Sequence, residues 1–403
     1  MLDRVPNKPS AAEREARAAE LIGRARELIP LIDRAGDRIE RERRIPDDVL
    51  DALHDARLFR LLIPRSIDGE EAEPTTLFEV VEAIAQGDAS VAWCMGQGSG
   101  VSMAAAYLKP EVAQTVFGGK RAVVATGPNN TVSKAIACDG GYRATGSWGF
   151  ASGSPHAAWM LGHCAVCEGD GAPRLGADGK PLELRTMVFP KSSAAMADDW
   201  NVMGLKGTGS VSYSVKDLYV ADDFSFTRES DADRREAGPL YRFSMYNMFG
   251  VGFSGVALGL ARRALDDFLK LALVKKPYGA ATLLCDSGAI QSQVGLAEAK
   301  LQSSRSYVIE TYRKLYRAVA QGLRFTPEMR LANRLVTCHA IQQARDVVDF
   351  VHHAAGATAI FESNPFERRF RDMHTVTQQG QGQFSNYEQL GMTLMGKTAT
   401  RQT

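Results

Sequence analysis

The stretch Asp139–Trp159, which reads DGGYRATGSWGFASGSPHAAW, carries the most informative pattern in the chain. Its opening DGG is a turn signal, and we interpret the whole stretch as one β-hairpin with a second break at Gly146. After that break Trp148, Phe150 and Ser152 stand at alternate positions, and alternate residues of a strand share one face. Two rings and a hydroxyl on one face suit a flat, mostly apolar heterocycle with a polar edge. An ordinary buried strand shows the same alternation, so the pattern alone leaves both interpretations open.

Composition narrows the class of protein. The 403 residues are enough for two or three domains, and 48 basic residues nearly cancel 47 acidic ones, so no global field favours nucleic acid or an anionic membrane. The N-terminus is polar, and no window holds about 18 uninterrupted apolar residues, so we expect a cytoplasmic protein without a membrane span. Cys164 and Cys167 have CxxC spacing, but no second ligand pair accompanies them, and we predict no metal site.

The period of the apolar residues divides the chain into three domains. Residues 1–121 predict helices, starting with Ser10 as a cap before a long helix from Ala11 to Arg44. Residues 122–226 alternate short β-rich runs with turn residues, which indicates a small antiparallel domain. Residues 227–403 are helical again. We therefore predict an α+β fold with an N-terminal helical domain, a central antiparallel β-domain and a C-terminal helical bundle.

Five segments are weakly informative one by one but more specific in their order along the chain. They are GDASVAW (87–93), ATGP (125–128), GYRATGSWGFASG (141–153), WNVMGLKGTGS (200–210) and RRFRDMHT (368–375). In that order, on an α–β–α frame, the chain resembles the acyl-CoA dehydrogenase superfamily. More narrowly, it resembles the two-component flavin-dependent monooxygenases built on that fold, in the manner of an oxygenase component that hydroxylates aromatic compounds.

This resemblance implies a flavin, reduced FAD or FMN, between the β-domain and the C-terminal bundle. Phe150 falls where the family places an aromatic residue against the isoalloxazine, and Ser152 where a hydroxyl bonds flavin N5. Gln291 matches a glutamine near the nucleotide tail across a subunit boundary, although Gln293 is also available. The residues expected at the edge of the ring are Thr126, Gly127 and Pro128.

The dehydrogenases of this superfamily abstract an α-proton with a glutamate, commonly nine positions after the arginine of an RD pair. That pair is Arg371-Asp372 here, and the ninth position is Gly380, which cannot act as a base. An acyl-CoA dehydrogenase with its base on another helix remains the alternative. The oxygenase interpretation requires reduced flavin from a separate reductase, O2, a C4a-hydroperoxide and an apolar pocket with few donors. Residues expected on the substrate side are Trp93, Trp148, Met203, Thr208 and Ser210, with the glycine-rich helix 249–259 as a further wall.

Phenol-hydroxylating members commonly have a histidine eight positions after the RD arginine, and Gln379 stands there. His374 is the nearest imidazole, but on a helix position 379 lies about 100° away from the face that 374 shares with 378. We name Ser152, His374 and Gln379 as catalytic candidates, with a packed or surface histidine equally open for His374. An electron-rich ring such as indole needs no phenol deprotonation and is the substrate that we expect. Amine N-oxygenation and a non-catalytic helical scaffold also stay open, and the resemblance implies a homotetramer.

Overall fold

The computed structural model describes residues 10–128, 132–169, 171–172, 175, 183–228 and 230–397. Over these residues a helical part, a sheet and a second helical part follow one another, which confirms the predicted α+β class. Among the helices within those ranges, none has the length and apolarity that crossing a bilayer requires.

Helices make up both ends of the chain. They are α1 (Ala11–Arg34), α2 (Gly36–Glu42), α3 (Asp47–Asp55), α4 (Pro74–Ala85), α5 (Ala89–Ser102), α6 (Pro110–Phe117), α7 (Met245–Ala272), α8 (Gly288–Ala320), α9 (Pro327–Ala355), α10 (Pro365–Val376) and α11 (Ser385–Leu394). Short strands lie between α6 and α7. They are β1 (Val124–Thr126), β2 (Lys134–Cys138), β3 (Gly141–Trp148), β4 (Trp159–Cys167), β5 (Leu184–Pro190), β6 (Ala195–Met196), β7 (Tyr213–Ala221) and β8 (Ser225–Phe226).

The first helix begins as predicted but ends earlier. The Ser10 side chain accepts a hydrogen bond from the Glu13 backbone N–H, and the Glu13 side chain accepts one from the Ser10 N–H, so the capping box is present. The single helix predicted from Ala11 to Arg44 is wrong, because α1 stops at Arg34 and α2 is separate. A Cβ atom on Gly36, the first residue of α2, would lie 2.4 Å from the guanidinium of Arg368. Gly36, just after the break, therefore lies in a close tertiary contact. Helical periodicity does not predict such a contact.

The sheet is mixed, with antiparallel pairs in the majority. Its order is β6-β7-β3-β2-β4-β5-β8, and β1 also pairs with β4. Two pairs, β1 with β4 and β2 with β4, are parallel. The predicted antiparallel domain is confirmed for most of the sheet, and these two pairs are exceptions, because a strand that returns beside a non-neighbour through a connecting segment can do so in either direction. The parallel β1–β4 pair sets Thr126 opposite Leu161.

The prediction that Asp139–Trp159 forms one β-hairpin is wrong, because the stretch holds the turn and only one complete strand, β3, whose partner β2 precedes the turn. The turn at Asp139 and Gly140 joins β2 to β3, and Gly140 has a φ of 71°, which favours glycine. Gly146 does not end the strand, since β3 continues to Trp148 with a change of register between Ala144 and Gly146. A Cβ atom at Gly146 would lie 2.3 Å from the hydroxyl of Ser133, so this glycine serves close packing.

Helix α7 lies at the centre of the helical parts. It packs against α4, α5 and α9. Its glycines allow the close approach: a Cβ atom on Gly252 would meet the Cα of Gly96 at 3.3 Å, and one on Gly259 would meet the Glu82 carbonyl oxygen at 2.2 Å. These glycines therefore allow the backbones of α5 and α4 to approach α7 closely.

Candidate active site

The turn after β3 presents an aromatic ring and a hydroxyl at the edge of the sheet. Phe150 has a φ of 55°, which is rare for a large side chain, and its ring is 69% exposed. The ring meets Trp200 edge-on, with 6.1 Å between centroids. Backbone strain combined with an exposed aromatic ring is the kind of feature that concentrates at ligand sites. Ser152, two residues later, is half-buried.

Trp148 does not belong to this surface. Its side chain is 1% exposed, its Nε1 donates to the His163 carbonyl at 3.0 Å, and its ring stacks on Tyr213 at 5.2 Å. The prediction that Trp148, Phe150 and Ser152 share one face is wrong, and so is the substrate-binding role of Trp148. The strand ends at Trp148, and the positive φ of Phe150 breaks the alternation on which the prediction depended.

A buried chain of hydrogen bonds lies behind Ser152. Trp93 Nε1 donates to Ser152 Oγ at 3.0 Å, and Ser152 Oγ lies 2.7 Å from Ser210 Oγ. Ser210 Oγ lies 2.7 Å from Thr208 Oγ1, which donates to the Leu205 carbonyl at 2.8 Å. Three predicted site residues, Trp93, Thr208 and Ser210, therefore meet the predicted N5 contact. Thr208 and Ser210 are buried behind Ser152 and hold its side chain in place. Their contact with substrate stays a prediction.

The walls beside this chain are apolar. The Trp93 ring stacks on Phe253 of α7 with 4.2 Å between centroids, and Phe249 lies 6.5 Å from Phe253. Burial raises the pKa of the nearby Cys94 thiol, which stays protonated. The residues that contact Ser152 thus combine a few fixed donors with aromatic surface, as a site that excludes water requires.

The end of β1 closes against the same turn. A Cβ atom on Gly127 would lie 2.4 Å from the Gly149 carbonyl oxygen, and the Gly127 N–H donates to the Tyr213 hydroxyl at 3.1 Å. Thr126 precedes this contact, and the exposed Pro128 follows it. The structure therefore packs Gly127, between Thr126 and Pro128, against Gly149, the residue before Phe150, and the contact of these three residues with the edge of a flavin ring stays a prediction.

One polar group in this region carried no sequence signal that we recognised. His163 on β4 is buried, with Nε2 3.0 Å from Thr126 Oγ1 and Nδ1 2.9 Å from Thr186 Oγ1. Burial holds the pKa of His163 well below its usual value, so the ring is neutral. His163 fixes the Thr126 hydroxyl from the core side. Its place in the apolar run WMLGHCAVC is the one hint that the sequence contains.

The RD pair of α10 anchors the turn opposite Ser152. The Leu205 N–H donates to Asp372 Oδ1 at 2.6 Å, and the Arg371 guanidinium donates to the Met203 carbonyl. Burial, followed by the nearby Asp88, raises the pKa of Asp372 to about 7. Met203 itself is 53% exposed. The pair thus positions the segment that contains Thr208, at the far end of the hydrogen-bond chain.

His374 lies on another face of the same helix. Its Nε2 is 2.8 Å from Asp349 Oδ1 on α9, and its ring packs on Phe370 at 4.3 Å. Two residues of helix turn it about 160° away from Asp372, which faces the Leu205 segment. The described side-chain contacts of His374 are with α9 and α10. The structure therefore does not bring His374 together with Ser152, and its catalytic role stays a prediction.

Gln379 and Gln291 have local hydrogen bonds. Gln379 Oε1 accepts from the Gln381 N–H at 2.5 Å and caps the turn Gly380–Gly382, while its Nε2 is buried without a partner among the described residues. Gln291 is exposed at the start of α8, and its Nε2 donates to the Cys285 carbonyl at 2.8 Å. Neither contacts Ser152, so their assigned roles stay predictions.

Comparison with known proteins decides the family. The family model described as acyl-CoA dehydrogenase, C-terminal domain, matches residues 251–381. The chain is 30% identical over 374 residues to an indole-3-acetate monooxygenase of Pseudomonas putida, covering 91% of this chain and 92% of that protein. It is 26% identical to the flavin-dependent monooxygenase oxygenase subunit HsaA of Rhodococcus jostii, covering 86% and 90%. This chain belongs to the flavin-dependent monooxygenases of the acyl-CoA dehydrogenase superfamily.

A solved structure supports the fold of this monooxygenase. XiaF from Streptomyces sp., in complex with FADH2 and glycerol, superposes with a TM-score of 0.88 at 23% identity, covering 97% of this chain and 99% of that one. The predictions of an α+β acyl-CoA dehydrogenase-like fold, of an oxygenase component and of a reduced flavin with O2 as its reactants are confirmed.

The described residues fit a flavin on their own chemistry. Phe150 offers an exposed ring on a strained turn, and the close contact of Gly127 with Gly149 leaves two backbones along one edge. Ser152 offers a hydroxyl fixed from behind by Trp93. Gly380 stands at the position where the dehydrogenases of this superfamily commonly have their glutamate base, which agrees with oxygenation rather than proton abstraction from a thioester.

Proposed function

We propose that this monooxygenase holds a reduced flavin with its ring against Phe150 and its N5 atom at Ser152, and hydroxylates a small heteroaromatic ring of the indole type. The observation that carries the position of the flavin is the half-buried Ser152 hydroxyl, fixed by Trp93 at 3.0 Å in the turn that exposes Phe150. A flat heterocycle against Phe150 would reach that hydroxyl with its polar edge.

The bound flavin supplies two electrons: reduced flavin, O2 and Ar–H give oxidised flavin, Ar–OH and water. The protein holds the reactants and keeps bulk water away. Trp93 and Phe253, stacked at 4.2 Å, form an apolar wall beside Ser152. Ser152 accepts a hydrogen bond from the ring edge, which fixes the flavin without transferring charge.

An indole-type ring is the substrate class that we favour. The relative with 30% identity is named for indole-3-acetate. Gln379 stands where phenol-hydroxylating members have an imidazole, and His374 pairs with Asp349 instead. A substrate whose ring nitrogen already donates electron density needs no base to activate it. Gln379, with an amide nitrogen that lacks a described partner, would offer a neutral hydrogen bond.

The partners follow from the two-component class. Reduced flavin reaches this subunit from a separate flavin reductase. We also propose a homotetramer, in which Gln291 lies near the nucleotide tail of a flavin bound to a neighbouring subunit. Large apolar side chains stay exposed between α7 and α8, namely Leu273, Val274 and Tyr278. Such a patch is typical of a subunit contact. A cytoplasmic location stays a prediction.

One experiment separates these possibilities. The purified subunit is mixed anaerobically with chemically reduced FMN or FAD, and ¹⁸O2 is admitted with indole-3-acetate or, as the matched control, phenylacetate. We expect one ¹⁸O atom in an indole-derived product and oxidised flavin without product from phenylacetate. Failure to bind either reduced flavin would contradict the proposal and favour a non-catalytic scaffold. Desaturation of an acyl-CoA with tightly bound oxidised FAD would instead establish a dehydrogenase with a displaced base.

A further inference from the structure

The hydrogen bonds behind Ser152 have only one consistent direction. A carbonyl oxygen accepts and never donates, so the 2.8 Å contact between Thr208 Oγ1 and the Leu205 carbonyl uses the single Thr208 hydroxyl proton. The 2.7 Å contact between Ser210 and Thr208 then requires the Ser210 proton. The 2.7 Å contact between Ser152 and Ser210 in turn requires the Ser152 proton.

The hydrogen bond at the Trp93 end of this hydrogen-bond chain runs in the same direction, from Trp93 toward Leu205. Trp93 Nε1 carries a hydrogen and has no acceptor capacity, so it donates to Ser152 at 3.0 Å. Turning the Ser152 proton outward would leave two hydroxyl oxygens 2.7 Å apart with no hydrogen between them. Ser210 and Thr208 are 4% and 1% exposed, so water does not readily supply the missing hydrogen. Ser152 therefore presents one lone pair, and no proton, to whatever lies in front of it.

We infer that Trp93, Ser210 and Thr208 are positioning residues that make Ser152 a pure hydrogen-bond acceptor, and that this selects reduced over oxidised flavin. The inference rests on the proposed position of flavin N5 at Ser152. Reduced flavin carries a hydrogen on N5, which Ser152 accepts. Oxidised flavin has an unprotonated N5, which is itself an acceptor, and the two lone pairs repel. A subunit that receives reduced flavin from a reductase has to release the flavin after it is oxidised. Weaker binding of oxidised flavin favours that release.

The selection is measured as the ratio of two dissociation constants. Anaerobic titration calorimetry with photoreduced FMN, and aerobic titration with oxidised FMN, give Kd values for the same protein preparation; FAD is titrated in parallel. We expect the wild-type subunit to bind reduced flavin at least about tenfold more tightly than oxidised flavin, the cost of one mismatched buried hydrogen bond.

Ser210→Ala is the decisive variant. It removes the acceptor of the Ser152 proton, so Ser152 becomes free to donate to an unprotonated N5. We expect the ratio of the oxidised to the reduced Kd to fall about tenfold, mainly because oxidised flavin binds more tightly. A purely structural role for Ser210 would weaken both forms alike and leave the ratio unchanged, and that result would overturn the inference.

Matched variants guard against a folding artefact. Ser210→Thr and Thr208→Ser keep every hydroxyl and should keep the wild-type ratio, whereas Thr208→Val should lower it as Ser210→Ala does. Trp93→Phe removes a donor without reversing the chain, so the ratio should not fall. A drop in Trp93→Phe equal to that in Ser210→Ala would contradict the assigned direction.

A flavin analogue tests the atom concerned. In oxidised 5-deazaflavin a C–H group replaces N5, so the freed Ser152 proton has no new acceptor. Ser210→Ala should leave the Kd of this analogue unchanged, and tighter binding of it would contradict the role of N5. If the wild-type subunit binds no flavin, the proposed function itself fails. If it binds both forms with a ratio near one, only the selection by the hydrogen-bond chain fails.

Discussion

Two segments that the resemblance assigned to one active site have different surroundings in the structure. The turn around Ser152 is supported from behind by residues of two separate segments, α5 and residues 205–210, through hydrogen bonds of 2.7 to 3.0 Å. His374 on α10 has one described side-chain hydrogen bond, to Asp349 on α9, and Gln379 caps the turn that follows the helix through the Gln381 N–H. Ser152 has two such partners, Trp93 and Ser210, and it lies two residues after the exposed ring of Phe150, whereas His374 packs between α9 and α10. The comparison therefore favours Ser152 over His374 as the residue that acts on the flavin.

Removing each side chain tests the comparison most strongly. Ser152→Ala deletes the hydroxyl at the proposed ring edge, and we expect hydroxylated product per reduced flavin to fall about 100-fold, with H2O2 released instead. His374→Ala deletes an imidazole that contacts α9, and we expect product yield within about threefold of wild type. Product and H2O2 are quantified after one turnover with excess O2. Equal losses in the two variants would remove the distinction between the segments.

The same glycine substitution in the two segments probes packing. A Cβ atom on Gly127 would lie 2.4 Å from the Gly149 carbonyl oxygen and 2.8 Å from the Trp148 Cβ, whereas one on Gly380 meets only the Tyr246 hydroxyl at 3.8 Å among the described atoms. We expect Gly127→Ala to lower the free energy of unfolding by about 3 kcal/mol, and Gly380→Ala by less than about 1 kcal/mol. Urea unfolding followed by tryptophan fluorescence measures both. A small effect at Gly127 would show that β1 can move away from the turn.

Sequence reasoning located the Ser152 turn but misjudged its geometry. Alternation placed Trp148, Phe150 and Ser152 on one face, and the resemblance then implied flavin contacts for Phe150 and Ser152, but Trp148 is a core residue. Periodicity assumes that a strand continues, and a positive φ at a phenylalanine is a tertiary effect that no residue type announces. The order of the helices, by contrast, depends on local caps and apolar spacing, which a sequence displays directly.

The hydrogen-bond chain shows a second limit of the sequence. Thr208 and Ser210 stand in the quoted segment LKGTGS, and Trp93 lies more than a hundred residues earlier. Each was predicted as a substrate contact because it occurs in a shared segment. Their hydrogen-bond chain through Ser152 depends on how α5 packs against the 205–210 segment, and residue spacing along the sequence does not reveal that packing.

A histidine within the Ser152 turn should leave a mark on the pH dependence of stability. His156 Nε2 accepts from the Ile45 N–H at 3.0 Å, and burial lowers the pKa of His156 to about 4. Between about pH 6.5 and pH 4 the unfolded chain binds a proton that the folded chain does not. The free energy of unfolding therefore falls as the pH drops through this window, by at most about 1.4 kcal/mol per pH unit from this group.

His156→Gln, which can still accept from the Ile45 N–H, should flatten this dependence by about 1 kcal/mol per pH unit. Urea unfolding of both proteins at several pH values between about 4.5 and 7.5 provides the comparison. Parallel curves would mean that the pKa of His156 is the same in the folded and the unfolded chain. The turn would then have to open in acid to admit the proton.

The smallest expected effect isolates the strain at Phe150. Phe150→Ala removes the ring but keeps a Cβ atom at a φ of 55°, whereas Phe150→Gly removes both. We expect the glycine variant to be more stable than the alanine variant by about 1 kcal/mol, the reverse of the usual order, because glycine adopts positive φ without a steric penalty. At Phe370, on α10 beside His374, the same two substitutions should give the ordinary order, with glycine less stable by about 1 kcal/mol. Thermal unfolding of the four variants measures both differences. If alanine were the more stable at position 150 as well, the turn would carry no strain, and the exposed ring would have lost one of the two features that mark it as a ligand contact.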